Sequence, residues 1–116
     1  MKLMELARSI GAKVINSADR QRDVDHVYAG DRVSDLLDHA SGSTLLVSNL
    51  TSEQLGRIAE LMDVPVICLV NGHQPGEEEL KLMSEHGTAV LVSPVGLFET
   101  CGRLYQCLFE KTQISK

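Results

Sequence analysis

The sequence feature that most constrains the fold is the run Val-Ile-Cys-Leu-Val at residues 66–70, which contains no charged or strongly polar side chain. Successive side chains of a strand point to opposite faces of its sheet. A strand that is apolar throughout therefore needs apolar cover on both faces, as in a parallel sheet. The run predicts a central strand of a sheet that lies between two layers of helices.

Helix-like and strand-like segments alternate along the rest of the chain. Apolar residues at helical spacing predict helices over residues 3–10, from Gly30-Asp31 to residue 40, after Thr51, from Pro75 and over residues 97–108; further strands are predicted at residues 13–15, 24–29, 44–47 and 89–92. With 116 residues the chain has the length of one domain, so we expect a single domain over residues 1–116. The alternation predicts an α/β fold, a three-layer α/β/α sandwich with a mostly parallel central sheet.

The composition argues against several classes of partner. The chain has two Tyr, two Phe and no Trp, too few aromatic rings for a platform that stacks single-stranded nucleic acid. Its formal net charge is -5 and its basic residues form no stripe, so we expect no binding to nucleic acid. No long apolar stretch follows the N-terminus, so we expect no signal peptide and no contact with a membrane.

The three cysteines predict no disulfide framework. Cys68, Cys101 and Cys107 have no Cys-x-x-Cys spacing, and Cys68 lies inside an apolar run, where a free cysteine behaves as a small hydrophobic residue. This pattern is typical of a reducing compartment. We therefore expect a cytoplasmic protein.

Sequence signatures of catalysis are missing. The chain contains neither the Gly-x4-Gly-Lys-Ser/Thr phosphate loop, nor Gly-x-Gly-x-x-Gly, nor Gly-x-Ser-x-Gly. The four histidines have no zinc-binding spacing. We therefore predict no catalytic residues, no cofactor and no metal.

A ligand site is expected where the turns that follow the parallel strands meet. Ligands of open parallel sheets bind beyond the carboxyl ends of the strands, and the helices that begin there present free N–H groups to anions. The candidate ligand-binding residues are those of the turns at this edge: Gly30, Asp31, Arg32, Ser34, Asn49, Asn71, Gly72, His73, Gln74 and Ser93. The alternative is structural: Asp31, Thr51 and Gln74 cap helices, and Gly30 and Gly72 serve turns.

Three stretches of the sequence resemble a DRTGG domain. Residues 24–37 resemble the start of that family, in which a strand ends in a Gly-Asp pair and the next helix carries Ser-Asp. Residues 66–75 resemble its hydrophobic strand, Gly-containing turn and proline-led helix, and residues 90–100 its last strand and helix. The string Asp-Arg-Thr-Gly-Gly itself does not occur, because Asp31-Arg32 is followed by Val33-Ser34.

The resemblance implies a regulatory role. DRTGG domains accompany CBS-domain proteins, some phosphate acetyltransferases and some pyrophosphatases, where they do not perform the catalysis. The family also implies an α/β fold and a homodimer. A copy like this one is expected to act through a partner enzyme or as a sensor of a nucleotide-like small molecule.

Three functional hypotheses follow. The leading one is a homodimeric regulatory domain that senses an anionic metabolite or nucleotide at the strand-end edge. The second is a protein-interaction module without a ligand, with a surface on the last helix formed by Leu97, Phe98, Cys101, Leu104, Tyr105 and Leu108. The third is a small phosphate-group hydrolase that uses Asp31, Ser34 and His73, and it requires these side chains to converge.

Overall fold

The computed structural model describes residues 1–16 and 22–110 of the chain. Within these ranges the helices are α1 (Leu3–Ile10), α2 (Val33–His39), α3 (Ser52–Met62), α4 (Glu77–Glu85) and α5 (Leu97–Tyr105), and a π-helical turn (Gln106–Glu110) follows α5. The strands are β1 (Lys13–Val14), β2 (His26–Ala29), β3 (Thr44–Val47), β4 (Val66–Leu69) and β5 (Ala89–Val92).

The strands form one sheet in the order β1-β5-β4-β3-β2. Strands β2, β3, β4 and β5 are parallel, and β1 pairs with β5 in the antiparallel direction. From β3 to β5, each strand therefore lies beside the strand that precedes it in the chain. The prediction of a mostly parallel sheet is confirmed.

Helices cover both faces of the sheet, which gives the predicted three layers. On one face Leu46, Ile67 and Val90 pack with apolar residues of α2, α3 and α4. On the other face Leu45, Val66 and Leu91 pack with α1 and α5. All residues of β3, β4 and β5 are buried, which is the environment predicted from the apolar run at residues 66–70.

Cys68 in β4 is fully buried, as predicted. Burial away from water, with a smaller contribution from the neighbouring Cys101, raises the pKa of its thiol to about 12. Cys68, Cys101 and Cys107 are all free thiols. The expectation of no disulfide among these cysteines agrees with their state.

Two helices begin later than predicted. Helix α2 begins at Val33, because Gly30 still follows the sheet and donates its N–H to Val47 O at 3.2 Å. The apolar spacing of the sequence predicts that Val33 lies on the buried face of α2. This prediction is wrong, because Val33 is 39% exposed. Helix α4 begins at Glu77, and Pro75 lies before its N-cap instead of in its first turn.

Two strands are shorter than predicted. Strand β2 begins at His26, because Asp25 and His26 both donate their N–H groups to the single acceptor Ser43 O, at 2.9 and 3.2 Å. Strand β1 ends at Val14, although Ile15 N still reaches Val90 O at 3.0 Å. Most of the loop predicted at residues 16–23 lies outside the described residues.

The last helix also differs from its prediction. Residues 97–108 were expected to form one helix, but α5 ends at Tyr105 and the π-helical turn carries the chain onward. Leu104 is buried against α1. Among the helices of residues 1–16 and 22–110, none has the length and apolar character that crossing a membrane requires.

Candidate functional site

A cavity of about 240 Å³ lies at the carboxyl ends of β3 and β4. The end of β4 forms its apolar part, and the turns that lead into α3 and α4 supply its polar groups. The lining residues are Ser48, Asn49, Leu50, Thr51, Leu69, Val70, Asn71 and His73. The cavity is thus at the edge where sequence reasoning expects a ligand.

Asp31 holds the turn after β3 in place. Its Oδ1 accepts hydrogen bonds from the Ser48 hydroxyl at 3.1 Å and from Asn49 N at 2.9 Å. The Ser48 hydroxyl in turn accepts from Leu50 N at 3.0 Å. Asp31 therefore shapes one wall of the cavity from outside its lining, by fixing the backbone that carries Asn49.

Asn71 and Gly72 form a tight turn at the opposite wall. Both have positive φ angles, 58° and 67°, and His73 N donates to Val70 O at 3.1 Å. Two consecutive left-handed residues are typical of a type I′ turn, for which Asn-Gly is the preferred sequence. The N–H groups of Asn71 and Gly72 are bound by Val95 O and Ser93 O, both at 2.8 Å, so they are already used within the fold.

Uncommitted polar side chains remain at the cavity. In the part of the chain that the structure describes, the carboxamides of Asn49 and Asn71 form no hydrogen bond, and both residues are exposed. Each carboxamide offers two donors and an acceptor. The imidazole of His73, also exposed, can donate or accept in addition. Together these groups can bind a ligand that carries oxygen and nitrogen atoms.

The N-terminus of α3 borders the same cavity. Thr51 caps this helix, because its hydroxyl accepts from Gln54 N at 3.2 Å, as predicted. The Thr51 hydroxyl also donates to the side-chain oxygen of Gln54 at 3.2 Å. Gln54 therefore does not accept from the backbone N–H of Thr51, which is the second bond of a capping box. A helix N-terminus carries partial positive charge, which favours anionic groups in the cavity.

The first turn of the neighbouring helix α4 is more acidic than that of α3. Glu77, Glu78 and Glu79 occupy its first turn. Glu79 accepts hydrogen bonds from the Ser52 hydroxyl and, at 3.0 Å, from Gly76 N. The bond from Ser52, followed by that from Gly76, lowers the pKa of the Glu79 carboxyl. The start of α4 is thus neutralised by its own carboxylates, whereas the first turn of α3 carries one glutamate, Glu53, which is paired with Arg57 at 2.8 Å.

The structure brings some of the expected site residues together and leaves others apart. Asn49, Asn71 and His73 line the cavity, and Asp31 contacts it through Ser48 and Asn49. Gly72 belongs to the turn between two lining residues. The remaining candidates lie outside the lining: Gly30, Arg32, Ser34, Gln74 and Ser93.

Ser93 departs most from its expected place. It is fully buried, and its hydroxyl shares a hydrogen bond of 2.7 Å with the hydroxyl of Thr100 in α5. Its role is therefore to join β5 to α5. The structural alternative fails for two residues as well, because Arg32 and Gly76, not Asp31 and Gln74, hold the N-cap positions of α2 and α4.

Sequence reasoning left several lining residues out of the site. Ser48 and Leu50 belong to the same turn as Asn49, and the sequence predicts Thr51 only as a helix cap. Leu69 and Val70 were assigned to the buried strand. Their signal is their position, since the last residues of a buried strand reach the carboxyl edge of the sheet.

The three residues of the hydrolase hypothesis do not converge in this cavity. Ser34 lies in the first turn of α2, outside the cavity, so it does not join Asp31 and His73 there. Among residues 1–16 and 22–110, no group of three or more His, Cys, Asp or Glu side chains could hold a metal ion. The arrangement is one of neutral hydrogen-bonding groups beside a helix N-terminus.

No protein-family model matches this sequence, and no curated protein matches it either. Among solved structures, the chain is similar to the CBS and DRTGG domains of the regulatory region of Clostridium perfringens pyrophosphatase, crystallised with its activator diadenosine tetraphosphate. The TM-score is 0.78 at 19% identity, over 92% of this chain and 47% of that chain. The chain thus spans about half the length of this relative. The fold predicted from the resemblance is confirmed: the chain has the fold found in a CBS and DRTGG regulatory region.

Proposed function

We propose that this chain is a regulatory domain that binds an anionic metabolite or a nucleotide in the cavity at the ends of β3 and β4. The observation that carries the proposal is the pair of uncommitted carboxamides, Asn49 and Asn71, which face one cavity together with His73. Polar groups without partners inside the fold are available for a ligand at little cost, because no internal hydrogen bond has to break.

The size of the cavity limits what it accepts. Pockets for drug-sized ligands usually measure about 300–1,000 Å³. A cavity of about 240 Å³ is smaller. It suits one part of a nucleotide, a base or a phosphate with its sugar, while the remainder of the ligand lies along the turns outside.

The charges near the cavity favour an anionic group on the α3 side. No carboxylate belongs to the lining, and His73 is the lining residue that can carry a positive charge. On the α3 side the one glutamate of the first helical turn, Glu53, is paired with Arg57, whereas the three glutamates at the start of α4 repel negative charge on the other side. We therefore expect the phosphate of a nucleotide to lie next to Thr51 and the base to lie next to Asn71.

The likeness in fold supports the regulatory part of the proposal. The similar structure is a regulatory region of an enzyme, and its activator is a dinucleotide. By analogy we propose that this chain, as a cytoplasmic homodimer, transmits the presence of its ligand to a partner enzyme and performs no catalysis itself. Residues 1–116 then act as a single DRTGG-like regulatory domain.

The test is a thermal-shift measurement of the purified chain with AMP, ADP, ATP, diadenosine tetraphosphate and inorganic phosphate. A ligand at a hundred times its dissociation constant stabilises the folded state by about 2.7 kcal/mol. For a domain of this size that is a rise of several degrees in unfolding temperature. We expect such a rise with at least one nucleotide and a smaller one with phosphate.

Variants assign the shift to the cavity. His73→Ala and Asn71→Asp should reduce it, the second by placing a negative charge beside the ligand. His86→Ala is the matched control, since His86 is an exposed histidine at the C-terminal end of α4, where it contacts Glu60 of α3 at 3.4 Å. A flat response to every compound, or an equal loss in the His86 variant, contradicts the proposal.

The second candidate function is a protein-interaction module without a ligand. It is favoured by the exposed aromatic side chains of Phe98 and Tyr105, which belong to the surface that the sequence suggested. Leu104 of that surface is buried and belongs to the core. If none of the compounds raises the unfolding temperature, the protein-interaction module becomes the better-supported function.

A further inference from the structure

Aromatic side chains are concentrated on the outer surface of the last helical segment. The chain has four Phe and Tyr residues in all. Three of them are exposed on α5 and the π-helical turn: Phe98 by 93%, Tyr105 by 60% and Phe109 by 53%. Tyr105 and Phe109 contact each other, with ring centroids 4.9 Å apart. Isolated exposed apolar residues are common, whereas several large exposed rings on one helix face indicate an interaction site.

The patch has a defined shape. Phe98, Gly102, Tyr105 and Phe109, here called the aromatic stripe, follow one another at intervals of four, three and four residues, which is the spacing of one helix face. The opposite face of α5 packs on α1, where Arg103 donates to Ile10 O at 2.9 Å. Gly102 is exposed, and a Cβ atom built on it meets nothing within 4 Å. The stripe is therefore a row of rings with a gap at Gly102.

We propose that the aromatic stripe is the dimer interface and that its occupant is the same stripe of a second copy, packed antiparallel. The intervals of the stripe read the same in both directions. A twofold axis midway between Gly102 and Tyr105 therefore sets Tyr105 of one copy over Gly102 of the other. The same axis sets Phe98 opposite Phe109. Large side chains meet a gap or another ring, as an isologous interface requires.

The charge of the stripe agrees with self-association. The chain has a formal net charge of -5, so two copies repel each other on average. The stripe itself carries no charged residue. Beside it, Glu99 and Arg103 form an ion pair of 2.8 Å within one copy, so they neutralise each other at the flank. Two stripes can therefore meet without burying an unpaired charge.

The area predicts a weak dimer. A fully buried aromatic side chain accounts for about 150–250 Å². With the exposed fractions of the three rings, the stripe offers on the order of 400 Å² per copy. Stable interfaces bury about 800 Å² per partner, so the stripe alone supplies about half of that. We expect dissociation in the micromolar range.

This inference rests on the homodimer included in the proposed function and assigns its interface. The test is sedimentation equilibrium of the full chain from about 1 µM to about 1 mM, the range over which a weak dimer assembles. The variants are Tyr105→Glu and Gly102→Leu. The control is Leu61→Glu, which changes a leucine that is 73% exposed on α3.

The Gly102→Leu variant distinguishes a specific, shape-complementary interface from a non-specific apolar surface. Added apolar area strengthens association through a non-specific patch. In the proposed interface the new side chain occupies the place of Tyr105 from the second copy, so the dissociation constant should rise at least tenfold. At a concentration where the chain is monomeric, the same substitution should raise the unfolding temperature, because glycine is unfavourable within a helix. A loss of the dimer together with a more stable monomer excludes misfolding as the cause.

We expect the wild type and Leu61→Glu to dimerise equally, and Tyr105→Glu and Gly102→Leu to be monomeric over most of the range. A wild type that stays monomeric throughout overturns the proposal, and so does a Gly102→Leu variant that dimerises as tightly as the wild type. The thermal shift with nucleotides, measured on Tyr105→Glu, reports separately on the cavity. Failure of the interface and failure of ligand binding are therefore distinguishable.

Discussion

Glu79 is the residue that ties together the two helices beside the candidate site. It belongs to α4, yet it accepts a hydrogen bond from Ser52 at the start of α3 as well as one from its own N-cap, Gly76. These donors favour the ionised carboxylate, which is why the pKa of Glu79 is lowered. A group whose pKa is lower in the folded state than in the unfolded state stabilises the fold at pH values above its unfolded-state pKa.

Replacement of Glu79 by Gln should therefore have a pH-dependent effect. The unfolded pKa of a glutamate is about 4.3. At neutral pH we expect the variant to unfold at a lower temperature than the wild type. The difference should shrink as the pH falls from about 4.3 through the folded pKa, because the wild-type carboxylate becomes protonated there. Unfolding temperatures of both proteins between pH 7 and the acid limit of the fold measure this.

Glu77→Gln is the matched control, because Glu77 lies in the same helical turn and is exposed. Its substitution should change stability little at any pH. If the unfolding temperature of Glu79→Gln stays below that of the wild type by the same amount across the acid range, the contribution of Glu79 to stability does not depend on its ionisation.

At the scale of the element, helix α3 ends in a backbone conformation that is unfavourable for the residue that adopts it. Its C-cap is Asp63, which has a φ angle of 53° in the left-handed region. Glycine adopts this conformation without steric cost, whereas other residues pay for it. An aspartate there also opposes the partial negative charge of the helix C-terminus.

Asp63→Gly should therefore stabilise the chain, by about 0.5–1 kcal/mol. Asp63→Asn keeps the side-chain size and removes the charge, so it should give a smaller gain. Urea denaturation at neutral pH measures both. A loss of stability in the glycine variant would show that the Asp63 side chain forms a stabilising contact that outweighs the backbone cost.

At the scale of the whole molecule, Asn16 connects the N-terminal segment to the far end of the chain. Its Nδ2 donates to Thr88 O at 2.8 Å, and its Oδ1 accepts from Val90 N at 3.1 Å, across more than seventy residues of sequence. Asn16 is only 8% exposed. The side chain thus continues the pairing of the chain with β5 after β1 has ended.

Asn16→Ala should destabilise the domain by about 2–4 kcal/mol, because it leaves a buried donor and a buried acceptor without their partner. Asn49→Ala is the control, since it removes the same side chain from an exposed position. Its effect on stability should stay within about 0.5 kcal/mol. Chemical denaturation of the two variants measures the contrast, and an equal loss in both would contradict the role of Asn16.

The sequence by itself determined the elements and the class of the fold. Apolar periodicity records how each segment is buried, so the strands at residues 44–47 and 89–92 and the doubly covered strand at residues 66–70 were predictable. The edge that carries the cavity followed from the direction of parallel strands. Asn49, Asn71 and His73 were therefore expected near one another and are found in one lining.

Only the tertiary structure decided how these parts are arranged. The strand order, the antiparallel β1 and the placement of α2, α3 and α4 on one face depend on contacts between distant segments. The same holds for Asp31, which looks like a helix cap in sequence but binds the turn after β3. Ser93 looks like a rim residue and is bound inside by Thr100. Local periodicity encodes whether a residue is buried, whereas the partner of a polar side chain is set by which segments the fold brings together.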